Sequence, residues 1–135
     1  MERFLAGTLA ILFLSATSAA FAQGYDYNGD YMVLKAQGTE ITIEYAFDQT
    51  NRPGTGTLFK GKILNNQVSG FAYVFVPGCD PVPYKVAGSF NRKWTTLRLT
   101  GTAPIVNRSC HVTGHSHTGP GTTLVFNADN RPITE

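Results

Sequence analysis

The amino-acid sequence predicts an all-β fold, a small antiparallel up-and-down β-barrel of about eight strands, and three observations carry that expectation. Apolar and polar residues alternate with a period of two through much of the chain after Asp30. No window of about 11 residues in that part shows a helical period. The chain's 14 glycines and 7 prolines are spread along it, spaced so that a turn can follow each short strand, roughly every eight to twelve residues.

Residues 1–22, MERFLAGTLAILFLSATSAAFA, begin with a basic side chain (Arg3), continue as an apolar run from Phe4 to Leu14, and end in Ala20-Phe21-Ala22. This is the three-part pattern of a secretory signal peptide, with cleavage expected after Ala22. The run is shorter than the roughly 20 residues of a transmembrane helix, so no membrane span is expected after cleavage. Residues 23–135 are then one domain, placed in the periplasm or secreted. In DYNGDY, Asp26, Asn28 and Asp30 alternate as calcium ligands do. The glycine comes one place early, and Gln37 stands where a bidentate glutamate belongs, so the segment reads as a turn into the first strand.

Strands are expected near residues 30–37, 39–47, 55–64, 67–76, 82–91, 94–102, 108–117 and 121–127. In TEITIEYAFD, Ile41, Ile43, Tyr45 and Phe47 form one apolar face against Thr42, Glu44 and Asp48. Phe59, Gly61 and Ile63 oppose Lys60 and Lys62, and Tyr84, Val86, Gly88 and Phe90 oppose Lys85, Ser89 and Asn91. Most connections are short, which favours neighbouring antiparallel strands, and closure removes the exposed edges of a flat sheet. A β-sandwich is the alternative. An apolar residue, a variable residue and a glycine recur as Phe59-Lys60-Gly61, Val68-Ser69-Gly70, Val86-Ala87-Gly88, Leu99-Thr100-Gly101 and Val112-Thr113-Gly114. Glycine inside a strand weakens it, so its recurrence marks places where strands bend sharply or backbones approach closely. In strand number and size this architecture resembles that of avidins and lipocalins, small secreted eight-stranded barrels. No motif matches residue by residue, so the resemblance implies an architecture and no site.

Cys79 and Cys110 are the only cysteines. In an oxidising compartment they are expected to form one disulfide, because they lack the C-x-x-C spacing of a redox pair. The formal net charge of +2 is mild and the basic residues are scattered, which excludes the continuous basic stripe of a nucleic-acid-binding protein.

The stretch CHVTGHSH brings Cys110 together with His111, His115 and His117, the chain's three histidines. On a regular strand His115 and His117 lie about 7 Å apart and can share an ion, whereas His111 and His115 lie about 13 Å apart. A Zn or Cu site therefore needs a third ligand, such as His111 brought in by a bulge at Gly114. The same parity turns Cys110, Val112 and Gly114 inward and the histidines outward. Gly114-His115-Ser116-His117 approaches a nucleophile elbow, but Thr118 replaces the second glycine and no helix follows. Glu40 and Glu44 share the polar face of one strand, which suits solvated carboxylates better than an acid–base pair. Asn107-Arg108-Ser109 has the form of a glycosylation sequon.

The segment SGFAY, Ser69 to Tyr73, resembles the S-G-x-x-Y element of bacterial lysozyme inhibitors, small exported β-barrel proteins that block the lysozyme cleft. That resemblance implies Ser69 and Tyr73 as contact residues. Phe71, Tyr73 and Phe75 alternate with Ala72, Val74 and Val76, so this strand has no polar side. Either both faces are covered or an aromatic row is exposed as a docking surface. The expected function is that of a small secreted or periplasmic binding protein, not an enzyme and without a required cofactor, that takes an extracytoplasmic protein partner or a small ligand. Metal binding and lysozyme inhibition are the alternatives.

Overall fold

The computed structural model describes residues 20–46 and 56–130. Its strands are β1 (Ala20–Tyr27), β2 (Asp30–Gln37), β3 (Glu40–Tyr45), β4 (Thr57–Leu64), β5 (Gln67–Val74), β6 (Val82–Phe90), β7 (Thr96–Thr100), β8 (Ala103–Val106), β9 (Val112–Ser116) and β10 (Thr123–Ala128). Eight of them close an antiparallel barrel in the order β1-β10-β7-β6-β5-β4-β3-β2, and β8 and β9 pair only with each other. The all-β barrel expected from the alternation is therefore present. Its membership differs from the expectation in two strands.

The first difference is β1. Asn28 and Gly29 form a two-residue turn with φ of 53° and 91°, the backbone that matches the twist of a hairpin. That turn folds Ala20–Tyr27 back along β2, from Tyr27 opposite Asp30 to Ala20 opposite Gln37. Ala20, Phe21 and Ala22, the end of the expected signal peptide, are thus part of β1; residues 1–19 lie outside the described residues. The second difference is residues 108–117, expected as a barrel strand. Their ordered part is β9, which with β8 makes a hairpin inserted between the barrel strands β7 and β10. β8 touches β5 and β6, and its Ala103 and Pro104 are buried at the root of the insertion.

Alternation decides which side chains enter the barrel. Ile41 and Ile43 of β3, Phe59 of β4, Val68 and Ala72 of β5, Tyr84, Val86 and Phe90 of β6, Leu97 and Leu99 of β7 and Leu124 and Phe126 of β10 are all buried in one cluster. Phe47, expected on the β3 face, lies outside the described residues. Tyr27 stacks on Phe126 at 4.9 Å, Tyr45 meets Phe75 edge-on at 6.5 Å near one end, and Tyr25, Phe90 and Trp94 make tilted ring contacts in series near the other. Aromatic pairs at such separations add to the area they bury.

Four of the five recurring glycines sit where another strand's backbone occupies the space of a side chain. A Cβ on Gly61 would meet Ser69 and Gly70, one on Gly70 would meet Lys60 and Gly61, one on Gly88 would meet Arg98, and one on Gly101 would meet Lys85. Gly61 and Gly70 face each other directly across β4 and β5. The barrel's tight curvature is built at these points. Gly114 is the exception, since its Cβ would meet only Ile105 Cδ1 at 3.8 Å.

Candidate functional site

The barrel interior is occupied by side chains. Met32, Ile43, Phe59, Leu97, Leu99 and Phe126 have no exposed surface, and their rings and branches fill the axis of the barrel. Small barrels of eight strands have an interior just wide enough for such filling. Among the described residues the surfaces open to a partner are therefore on the outside.

The disulfide joins Cys79 to Cys110, with their Cα atoms 5.4 Å apart. Cys79 lies in the β5–β6 connection and Cys110 at the tip of the β8–β9 hairpin, so the bond fastens the insertion to the barrel rather than one barrel strand to another. Asn107 shapes that tip: its Oδ1 accepts the Ser109 and His111 N–H groups at 2.9 and 3.0 Å, and its carbonyl accepts the Cys110 N–H at 3.0 Å. Such side-chain capping of a turn is the common use of asparagine, and it gives the residue of the expected sequon a structural task. A formed bridge suits an oxidising, extracytoplasmic compartment. Among the described residues no helix is long and apolar enough to cross a membrane.

The histidines lie along this hairpin, but only His115 is inside β9, opposite Pro104; His111 precedes the strand and His117 follows it. Ile105 pairs with Gly114 and Val106 with Val112, so Thr113 is an extra residue in β9. The bulge falls at Thr113 rather than Gly114 and interrupts the alternation. Val112, expected inward with Cys110 and Gly114, is instead 48% exposed, and Cys110 is exposed as well. The parity expected of a barrel strand does not apply here, because the hairpin has no barrel interior to face. Among the described residues no three His, Cys, Asp or Glu side chains gather as a metal site would require.

Each glutamate of β3 is matched by a lysine. Lys62 donates to Glu40 directly across β3 and β4, and Lys35 Nζ donates to Glu44 Oε1 at 3.3 Å. The hydrogen bond and charge of Lys62 hold the Glu40 carboxyl below its ordinary pKa. The two carboxylates thus serve ion pairs on the surface. In DYNGDY, the Gly29 N–H donates to Asp26 Oδ2 at 3.4 Å, within the turn that the sequence indicates.

Among the described residues Tyr84 has the most perturbed titratable group. It is buried, and its hydroxyl donates to the Gly121 carbonyl at 2.7 Å. Burial first, and then the neighbouring phenols of Tyr27 and Tyr45, push its pKa up to about 12. An unfolded tyrosine ionises near pH 10. Stability from this group is therefore complete below about pH 10 and is lost as pH rises through about 12, because only the unfolded chain gives up the proton in that window. Alkaline unfolding followed by far-ultraviolet dichroism is expected to show this loss, and Tyr84→Phe to remove that part of the pH dependence. A variant that keeps the same slope above pH 10 would assign the loss to other groups.

The outer face of β5 carries Ser69, Phe71 and Tyr73, while Val68, Gly70 and Ala72 lie on the core side. Phe71 is 44% exposed and Tyr73 half-buried. Phe75 lies beyond the end of β5 and packs against the core beside Tyr45, so the expected row of three aromatics contains only two on this face. Phe71 stands directly between Lys60 of β4 and Lys85 of β6. Beside it is an open hollow of about 390 Å³ lined by Ser69, Gly70, Phe71, Lys85, Val86 and Ala87.

Trp94 forms a second feature that alternation in the sequence did not reveal. It occupies the β6–β7 turn with φ of 60°, a backbone region that costs an L residue about 1–2 kcal/mol and where glycine is usual. Asn91 builds the turn: its Oδ1 accepts the Thr95 and Thr96 N–H groups at 2.8 and 3.1 Å, and its carbonyl accepts the Trp94 N–H at 3.1 Å. The indole packs 4.5 Å from the Phe90 ring, the Trp94 carbonyl accepts the Tyr25 hydroxyl at 3.0 Å, and 45% of the residue remains exposed. Burial raises the Tyr25 pKa. The available signal was compositional: this is the chain's only tryptophan, and it stands in a polar turn, Asn91-Arg92-Lys93-Trp94-Thr95.

These features define a small closed antiparallel β-barrel with a packed interior and one disulfide-fastened hairpin, an architecture that fits a small binding protein. Comparison of the chain with protein families, with characterised proteins and with solved structures finds no match.

Proposed function

We infer that the protein is a periplasmic or secreted binding protein without catalytic activity of its own, and that it engages a protein partner through the outer face of β4, β5 and β6. The observation that carries this reading is Phe71, exposed between Lys60 and Lys85 above the hollow beside Ala87. An exposed aromatic ring ringed by long charged side chains has the composition of an interface anchor. Among the described residues Lys85 forms no ion pair, so its charge can steer an acidic surface toward the ring, while the charge of Lys60 also acts on the Glu40 carboxyl. The packed interior supports an external site over a luminal one, and the pairing of Glu40 and Glu44 with lysines supports binding over acid–base chemistry.

A second reading draws on the same face. Ser69 and Tyr73, the residues implied by the resemblance to lysozyme inhibitors, both stand on the outer side of β5, and Ser69 shares the hollow with Lys85. Glycosidases of the lysozyme type work with two carboxylates, which a hydroxyl and an ammonium group complement.

The test combines capture from the native envelope fraction with affinity measurements on the captured protein. Phe71→Ala and Lys85→Ala are each expected to weaken binding by about tenfold or more, as truncation of an interface anchor does. Unchanged affinity in both variants for every captured protein would remove this face from consideration. If the wild-type protein slows lysozyme digestion of cell walls and Ser69→Ala abolishes the effect, the partner is lysozyme.

A further inference from the structure

We propose that the groove beside Trp94 is a saccharide-binding site, in which a pyranose ring stacks on the exposed face of the indole. The groove has a volume of about 530 Å³, and Phe21, Gln23, Lys93, Trp94, Thr95 and Asn130 are among the residues that line it. It lies at the β6–β7 end of the barrel, away from the hollow beside Phe71 that is lined by Ser69 and Ala87. The proposal therefore goes beyond the partner-binding reading and does not depend on it.

Two observations carry it. The first is the placement of the tryptophan. At φ of 60° glycine would relieve the backbone, yet the turn holds the largest side chain and leaves 45% of the residue in solvent. Its contact with Phe90 orients the ring without covering it. Backbone strain of this kind persists where the surroundings over-determine it, and it clusters at ligand sites.

The second is the chemistry around the ring. Gln23 Nε2 donates to the Gly24 and Asp129 carbonyls at 3.0 and 3.4 Å, which holds the amide in place and leaves Oε1 to accept from a ligand. Thr95 Oγ1 accepts from Asn91 Nδ2 at 2.8 Å, so its own proton remains to be donated. Asn130 supplies a second exposed amide, and Lys93 an ammonium group. A flat apolar platform bordered by a fixed acceptor, a hydroxyl and amide groups matches a pyranose, which presents C–H groups on its face and hydroxyls around its rim. Lys93 favours a sugar that carries a carboxylate. Cleavage after Ala22 would remove Phe21 from the groove wall and make Gln23 the first residue, while Lys93, Trp94, Thr95 and Asn130 belong to the mature chain in either case.

The single tryptophan makes the test direct, because all indole emission comes from this residue. The protein is titrated with chitohexaose, maltohexaose and hexagalacturonate, and with an uncharged extended hexapeptide. At least one saccharide is expected to give a saturable shift of the emission and protection from acrylamide quenching below about 10 mM, with the uronate binding most tightly. Trp94→Gly is expected to retain the far-ultraviolet spectrum and to weaken binding, followed by calorimetry, by about tenfold or more. Trp94→Phe should recover part of the affinity, because it keeps an aromatic face. The proposal is overturned if none of the three saccharides produces a saturable change, if Trp94→Gly binds as tightly as wild type, or if only the peptide binds.

Discussion

Gly88→Ala is expected to destabilise the protein by about 3 kcal/mol, whereas Gly114→Ala, in the same three-residue sequence unit, changes stability by less than about 0.5 kcal/mol. A methyl group on Gly88 would overlap the Arg98 carbonyl oxygen and lie 2.8 Å from the carbonyl carbon and 3.0 Å from the Leu99 Cα. All three are backbone atoms of β7, held by the β6–β7 ladder in which Gly88 faces Leu99 and Ala87 faces Thr100. They cannot turn aside as a side-chain end does. Accommodation requires the two strands to separate, and closure of the barrel carries that displacement to their neighbours. Gly114, by contrast, sits in the outer hairpin and meets only the flexible end of Ile105. Urea unfolding of the two variants tests the contrast, and equal losses would show that barrel curvature is not the reason for the glycine repeat.

Replacing Cys79 and Cys110 together by serine is expected to remove about 3–4 kcal/mol, the chain-entropy value for a closed loop of this length. The two residues are 31 positions apart, and for a domain of this size such a loss lowers the Tm by roughly 15–25 °C. The position of the bond also predicts where the loss appears first. β8 and β9 pair with no barrel strand, so without the bond their tip is held to the β5–β6 connection only by local contacts. Amides of residues 103–116 should then exchange with solvent well before those of β4 to β6, whose ladders lie within the closed barrel. A uniform increase in exchange over the whole chain would mean that hairpin and barrel unfold as one unit.

Much of the barrel was legible locally. The alternation of Ile41 and Ile43, of Phe59 and Ile63, and of Tyr84, Val86 and Phe90 placed these side chains on one face, and each is buried in or packed against the core. The glycine repeat pointed to close backbone approach, which four of its five members show. The error at β1 had a readable remedy, because Asn28-Gly29 is a strong short-range hairpin signal and implied a strand before Asp30 as well as after it. The signal-peptide pattern masks that strand, since Ala20 to Ala22 satisfy both patterns.

The candidate surfaces were less legible. Ser69, Phe71 and Tyr73 could be assigned to one face, but the inward turn of Phe75 occurs past the end of β5, where alternation no longer applies. Trp94, expected to open a strand over 94–102, instead lies in the turn before β7, where alternation no longer applies. Its exposure follows from contacts with Phe90 and Tyr25, which come from two different strands. The histidines looked like one row because β9 was assumed regular, and the extra residue Thr113 removes that regularity.

The sequence by itself determined that this chain forms short strands joined by tight turns, which face of the strands at Ile41–Ile43, Phe59–Ile63 and Tyr84–Phe90 enters the core, and which two cysteines are available to pair. All of these depend on side-chain period and turn chemistry within a few residues of one another. Only the tertiary structure decided that β1 rather than the histidine-bearing segment completes the barrel, and that the disulfide fastens an insertion. Both β1 and β9 have the local character of strands, and the choice between them lies in pairing. β1 meets Met32, Tyr31 and Asp30 along β2 and reaches Ala128 on β10, while β9 finds its partner in the adjacent β8. Barrel closure is a contact between the two ends of the chain, and no local period encodes which segment will make it.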